Sequence, residues 1–165
     1  MTRRVFSSFH YDDVWRVNQI RNSWVVPGVE AAGFLDKAEF EKVERQGKRA
    51  IESWIDRQLN GTTVTVVLIG QETANRPYVQ YEILQSYERG NGLLGINIHN
   101  IKDTKGQTQW YSGPNPFGSV EVDGGFWGKT ALSNKLTIPI YDWVHSDGRR
   151  NIATWVENAP RKTLT

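Results

Sequence analysis

Seven consecutive residues, Thr63-Val64-Thr65-Val66-Val67-Leu68-Ile69, are β-branched or apolar at every position. A strand of that texture is buried on both faces, as happens at the centre of a parallel sheet covered by helices. Asn60-Gly61 just before it stops a helix, and Gly70 follows it. A chain of 165 residues can bury such a sheet within one unit. Residues 1–165 are therefore expected to form a single domain.

The flanking text fits that sheet. Arg3 to Phe9 reads as a first strand, and Asp12 is a candidate cap for a helix in which Val14, Val17, Ile20 and Trp24 recur at helical spacing until Pro27-Gly28. Val25 to Phe34 reads as a loop. Lys37 to Leu59 is rich in helix formers but interrupted by Gly47, which predicts a short helix and then a longer one. After a loop at Gly70 to Asn75, Pro77 suits the first turn of a helix running to Arg89, and Leu93 to Ile98 is another strand. Asn100 to Lys135 is dense in Gly, Pro, Asn and Ser, so a loop-rich surface excursion is expected there, with a small hairpin near Val120 to Trp127. Leu136 to Ile140 reads as a last strand, and Ile152, Trp155 and Val156 as the buried face of a C-terminal helix. This alternation predicts an α/β fold with a doubly wound parallel sheet, whose ligands bind beyond the carboxyl ends of the strands. The ends to watch are Phe9-His10 and Ile69-Gly70.

Several chemistries are excluded or weakened. The chain has no cysteine, so disulfides, thiolate catalysis and Cys-containing zinc sites are out, and a reducing cytoplasm is the expected location. The N-terminus turns polar at Ser7, Ser8 and His10 where a secretory signal would be apolar. The longest apolar run, about Val64 to Ile69, is far short of the roughly 20 residues of a membrane span, so no membrane partner is expected. The net charge is +2, and the basic pairs Arg3-Arg4, Lys48-Arg49, Arg149-Arg150 and Arg161-Lys162 are scattered, which gives nucleic-acid binding little support. His10, His99 and His145 lie far apart, so no metal site is read from them.

Familiar nucleotide motifs also fail on context. Gly90-Asn91-Gly92-Leu93-Leu94-Gly95 has dinucleotide-fingerprint spacing, but it follows a helix and opens a strand, the reverse of the order that aims helix N–H groups at phosphate. Gly128-Lys129-Thr130 looks like the end of a phosphate loop, yet Asp123 stands where its first glycine belongs. A phospho-acceptor receiver would need an aspartate where the central strand gives Gly70-Gln71.

On the helix from Pro77 to Arg89, Tyr78, Glu82 and Ser86 form a column at i, i+4 spacing beside the apolar stripe of Val79 and Ile83. Position alone makes Glu82 a solvated helix residue at the edge of the buried face, paired with Arg89 or Arg76. The wider text changes its meaning. Val5-Phe6-Ser7-Ser8-Phe9-His10, Val64 to Gly70, and Arg76-Pro77-Tyr78-Val79-Gln80-Tyr81-Glu82-Ile83 with Ser86 and Gly90-Asn91 together resemble TIR-like domains. Arg16-Val17-Asn18, Gly113-Pro114-Asn115-Pro116-Phe117, Tyr141-Asp142-Trp143-Val144 and Asp147-Gly148 extend the resemblance toward the ThsB family of Thoeris anti-phage defence, over nearly the whole chain.

The resemblance implies a flavodoxin-like sheet and cleavage of the nicotinamide glycosidic bond of NAD, which is the substrate; no separate cofactor is implied. In TIR NADases the essential acid stands four residues beyond an aromatic on the helix after the central strand, and Tyr78 and Glu82 occupy those positions. Tryptophan is common at the first of them, so Tyr78 is a mild departure. Glu82 is thus the implied catalytic residue, with Phe9, His10 and Tyr78 as substrate-binding residues, and Ser8, Tyr11 and Asp12 as weaker candidates outside catalysis.

The resemblance further implies a cyclic ADP-ribose isomer as product, acting as a second messenger on a ThsA-like effector, and it allows for a phage-derived trigger and for self-assembly. The segment between Gly118 and Ile138 is shorter than the family leads one to expect, at a place where loops shape the choice between cyclisation and hydrolysis. Two other classes of function stay open at this point. One is a non-catalytic interaction module using tryptophans such as Trp110 or Trp127, and the other is a sensor that binds a nucleotide without turning it over.

Overall fold

The computed structural model describes residues 3–23, 29–32 and 37–163, with side chains at 4–22 and 41–163. In chain order its elements are β1 (Arg3–Phe9), α1 (Val14–Ser23), β2 (Val29–Ala32), α2 (Lys37–Glu44), α3 (Lys48–Leu59), β3 (Val64–Ile69), α4 (Pro77–Glu88), β4 (Gly92–Asn97), β5 (Glu121–Asp123), β6 (Lys129–Ala131), α5 (Leu132–Lys135), β7 (Ile140–Asp142) and α6 (Gly148–Glu157). Five strands form one sheet in the order β2-β1-β3-β4-β7, every pairing parallel. This is the flavodoxin-like arrangement expected of a TIR-like α/β fold.

All six residues of β3 are buried, and the five apolar ones divide between two cores. Val64, Val66 and Leu68 pack with Val17, Ile20, Ile152 and Trp155 of α1 and α6. Val67 and Ile69 pack with Val79 and Ile83 of α4. That split follows from the period of two along a strand. A third cluster joins Phe6 of β1 to Ile51, Ile55 and Leu59 on one face of α3, with Trp54, Tyr78 and Tyr81 against it.

Four expectations need correction. Val29–Ala32, inside the predicted loop, is an edge strand; it pairs with Arg3 to Phe6 through backbone groups, which leave no side-chain pattern to read. Asp12 is not a helix cap: His10 caps a 3-10 turn at Tyr11–Asp13 that leads into α1, its Nδ1 accepting from the Asp12 N–H at 3.3 Å. The predicted helix end at Trp24 and the breaker Pro27-Gly28 lie outside the described residues.

The last strand is Ile140–Asp142, later than Leu136–Ile140, because Pro139 has no N–H to donate; its carbonyl instead accepts from Gly95 N at 2.9 Å and opens the ladder. The excursion is not all surface. Phe117, Val120, Val122 and Leu132 are buried against α4, and the hairpin is β5 with β6, reaching beyond Trp127 to Ala131.

The chain steps from β1 to β2 on one side and to β3 on the other, so the switch point lies between the carboxyl ends of β1 and β3. Part of that crevice is filled. A side chain at Gly70 would run into the Asp13 carboxyl, and one at Gly113 would run into the Gly70 and Gln71 carbonyls. Asp13 is buried, accepts from Gln109 Nε2 at 3.0 Å, and lies 3.4 Å from Nη1 of Arg16. Arg16 in turn donates to the carbonyls of Ile101 and Gln107 at 2.8 and 3.1 Å. Burial raises the Asp13 carboxyl pKa, against the pull of Arg16 and His10. The segment 99–113 is thereby clamped over the end of β3, and the open space is left beside β1.

Candidate active site

Helix α4 starts at Arg76-Pro77 with proline at its first position, where a missing N–H leaves no hydrogen bond unmade. Its lower half is fixed by a buried polar network. Ser86 Oγ and Thr65 Oγ1 are 2.7 Å apart, and Asn91 Nδ2 donates to Thr62 Oγ1 at 3.0 Å and to Thr65 Oγ1 at 3.3 Å. One turn above Ser86, Glu82 comes level with Ser8, which pairs with Val67 two residues beyond Thr65 on the sheet. A helical turn and two strand residues cover similar lengths, about 5.4 and 6.7 Å, so the column stays in step with the sheet.

Glu82 is therefore buried, at 8% exposure, rather than solvated at an edge. Neither arginine that could have paired with it does so. Arg89 binds Asn60 Oδ1 at 3.1 Å and the Asp56 carbonyl at 3.3 Å, and no ion pair joins Glu82 to Arg76 among the described residues. Burial pushes the Glu82 carboxyl from its ordinary 4.5 up to about 8, and the Ser8 hydroxyl pulls it back in part. The two do not close a well-aligned hydrogen bond, since Oε2 of Glu82 and Oγ of Ser8 are both buried without a partner.

Glu82 lines a cleft of about 130 Å³ together with Phe9, His10 and Tyr78, so the four residues singled out from sequence meet in one place. Of the weaker candidates, Tyr11 also lines it and Ser8 stands beside Glu82. His10 lies with Nε2 buried and 3.3 Å from Oδ2 of Asp12, without hydrogen-bond alignment. Burial, and then the nearby Arg76 charge, lower its pKa, so the imidazole is neutral at pH 7.

The structure adds Trp54 of α3, Arg76, Ser7 and Glu44 to the walls. Trp54 neighbours the Ile51, Ile55, Leu59 stripe, and by sequence it is indistinguishable from a core aromatic. Arg76 did carry a legible signal: a cation at a helix N-terminus opposes the helix dipole. Among the described residues no cluster of three or more His, Asp or Glu side chains could hold a metal ion.

A buried carboxyl on the wall of an aromatic cleft can donate a proton while neutral. Once a cationic group is brought beside it, it can act as a fixed counter-ion to charge developing in a bound molecule.

Comparison with known proteins points the same way. The family described as "Thoeris protein ThsB, TIR-like domain" matches residues 6–103, a span that holds Phe9, His10, Tyr78 and Glu82. The chain is also 36% identical over 192 aligned positions to the Bacillus cereus (strain MSX-D12) protein named "Putative cyclic ADP-D-ribose synthase ThsB1", covering 94% of this chain and 100% of that relative.

Proposed function

The chain belongs to the ThsB TIR-like family of Thoeris proteins, and from that premise we propose that it is an ADP-ribosyl cyclase-type enzyme that breaks the nicotinamide glycosidic bond of NAD and makes a cyclic ADP-ribose-type signal for anti-phage defence. The observation that carries this reading is Glu82, a buried carboxyl with an unpartnered oxygen, on the wall of an aromatic cleft. A relative named "Putative cyclic ADP-D-ribose synthase ThsB1", matched over its full length, supports the product class.

The roles follow from the chemistry of the bond. The nicotinamide ring stacks against Tyr78 and Phe9, and its positive charge beside Glu82 favours the carboxylate, so the proton held in the empty cleft leaves as NAD enters. The C1′–N bond then breaks with its electron pair going to the ring nitrogen. Neutral nicotinamide departs, and positive charge builds on C1′ and the ribose oxygen. The carboxylate stabilises that charge more than it stabilises the ground state, which is the condition for acceleration. Attack by a nucleophile of the same molecule, with loss of its proton, closes the cyclic product; attack by water gives ADP-ribose and a proton. His10, neutral, serves as a hydrogen-bonding wall.

The finer parts of the reading are a ThsA-like effector that the signal switches on, a phage-derived trigger, self-assembly, a cytoplasmic location, residues 1–165 acting as one domain, and no cofactor beyond NAD as substrate. No helix among the described residues is long and apolar enough to cross a membrane. Contact with another protein has its own observation: Trp110, Phe126 and Trp127 are 97%, 94% and 88% exposed.

Incubation with NAD, with and without phage-infected lysate, followed by mass analysis of products for wild type and Glu82→Ala, tests the proposal. Release of nicotinamide with a cyclic isomer by wild type alone is expected. Intact NAD under both conditions would leave only the binding or assembly readings.

A further inference from the structure

We propose that Arg76 holds the diphosphate of the dinucleotide at the rim of the cleft whose wall carries Glu82. The identity of the ligand rests on the function proposed above; the anion site rests on the residues themselves. Among the described residues that line the cleft, Arg76 is the one fixed cation; Glu44, Glu82 and a neutral His10 line the same cleft.

Among the described residues Arg76 forms no ion pair and no side-chain hydrogen bond, and its Nε is buried without a partner. The contrast with Arg16 is direct, since that guanidinium meets a carboxylate and two carbonyls. A half-buried arginine left unpaired is an unfavourable arrangement that an incoming anion relieves.

Placement adds a second argument. Arg76 caps α4, a helix of 12 residues with no acidic residue in its first turn, so the helix dipole and the guanidinium present positive charge together. Each is unfavourable for the other and both favour an anion between them.

Geometry supplies the third. A cleft of about 130 Å³ takes a nicotinamide-sized ring, whereas sites that enclose larger ligands run to roughly 300–1,000 Å³. The rest of the molecule must cross the rim. Arg76 precedes Glu82 by six residues, about 9 Å of helix rise. In NAD the diphosphate is separated from the reacting C1′ by the ribose ring, one methylene and an ester oxygen, a shorter span, and an arginine side chain is long enough to cover the difference. The guanidinium fork also suits two phosphate oxygens at once.

The test compares wild type, Arg76→Ala and Arg76→Lys by calorimetric titration with ADP-ribose, which carries the diphosphate, and with nicotinamide riboside, which has none. Arg76→Ala should weaken ADP-ribose by about tenfold or more, with Arg76→Lys between, while nicotinamide riboside changes less than about twofold. In turnover, the loss should fall on KM for NAD more than on kcat. Unchanged ADP-ribose affinity in Arg76→Ala, equal weakening of both ligands, or no ADP-ribose binding by wild type would overturn the inference. If Arg76→Ala fails to fold, the lysine variant decides by the same ratio. Wild type that binds ADP-ribose through Arg76 yet never cleaves NAD would sink the catalytic proposal and leave this one standing.

Discussion

Glu82 on α4 and Ser8 on β1 stand side by side in the interior, and neither Oε2 of the one nor Oγ of the other has a hydrogen-bond partner. Leaving a buried polar atom unsatisfied costs about 1–3 kcal/mol, and a fold has little reason to accept two together. Of the two, Glu82 lines the cleft and Ser8 is fully buried.

Replacing Glu82 by Gln keeps the shape and removes the charge. Nicotinamide release should fall by about 10²-fold or more, the scale of losing one positioned electrostatic group. Thermal stability should hold or rise, because an ionisable group is removed from an apolar wall. A variant retaining more than a third of wild-type turnover would rule out the carboxylate as the group that stabilises the transition state.

The pH dependence has a definite sign. With the free-site carboxyl near 8 and the carboxylate as working form, kcat/KM should rise with pH through about 8. The limb in kcat should lie lower, because bound NAD brings its own cation. Stability moves in the opposite direction. The unfolded chain ionises this group near 4.5 while the folded one holds its proton up to about 8, so its contribution is complete below about pH 4.5 and is lost as pH rises to about 8. Denaturant titrations across that window should show the decline in wild type and not in Glu82→Gln.

Ser8→Ala separates the partner from the acid. The hydroxyl lowers the Glu82 pKa, so its removal should move the kcat/KM limb further up. Stability should hold or rise, by up to about 1–3 kcal/mol, since the buried hydroxyl has no hydrogen-bond partner to lose. An unmoved limb would show that Ser8 does not act on Glu82.

Particular residues show how far the sequence could be read. β3 was visible because burial on both faces forces an uninterrupted apolar run, and α4 because proline and glycine punctuate it. Val29–Ala32 was missed, since an edge strand of four residues is specified by its neighbour's backbone and not by its own pattern. The family-like blocks bring Phe9, His10, Tyr78 and Glu82 together, but spacing on α4 places Glu82 only at the edge of the buried face. Its burial depends on β1 and α3, which meet it from distant parts of the chain. Trp54 was hidden for the same reason, as a helix residue gains a role here only from what lies across the cleft.

The network beneath Glu82 offers a test of how the carboxyl is held in place. Thr65 Oγ1 is shared by Ser86 and Asn91, so Thr65→Val withdraws one hydroxyl and leaves both partners short in a fully buried site. A loss of about 1–3 kcal/mol is expected, which for a chain of this size lowers Tm by roughly 2–12 °C. Ser86 lies one turn from Glu82 on the same face of α4, so slack at Ser86 should displace the carboxyl and reduce kcat at temperatures where the protein is fully folded. Thr65→Ser returns the hydroxyl without the methyl and should recover most of kcat, although it leaves a small cavity. If Thr65→Val lowers Tm while kcat stays at the wild-type value, the network holds the fold together but does not position Glu82, and the aromatic wall of Phe9, Trp54 and Tyr78 must do so.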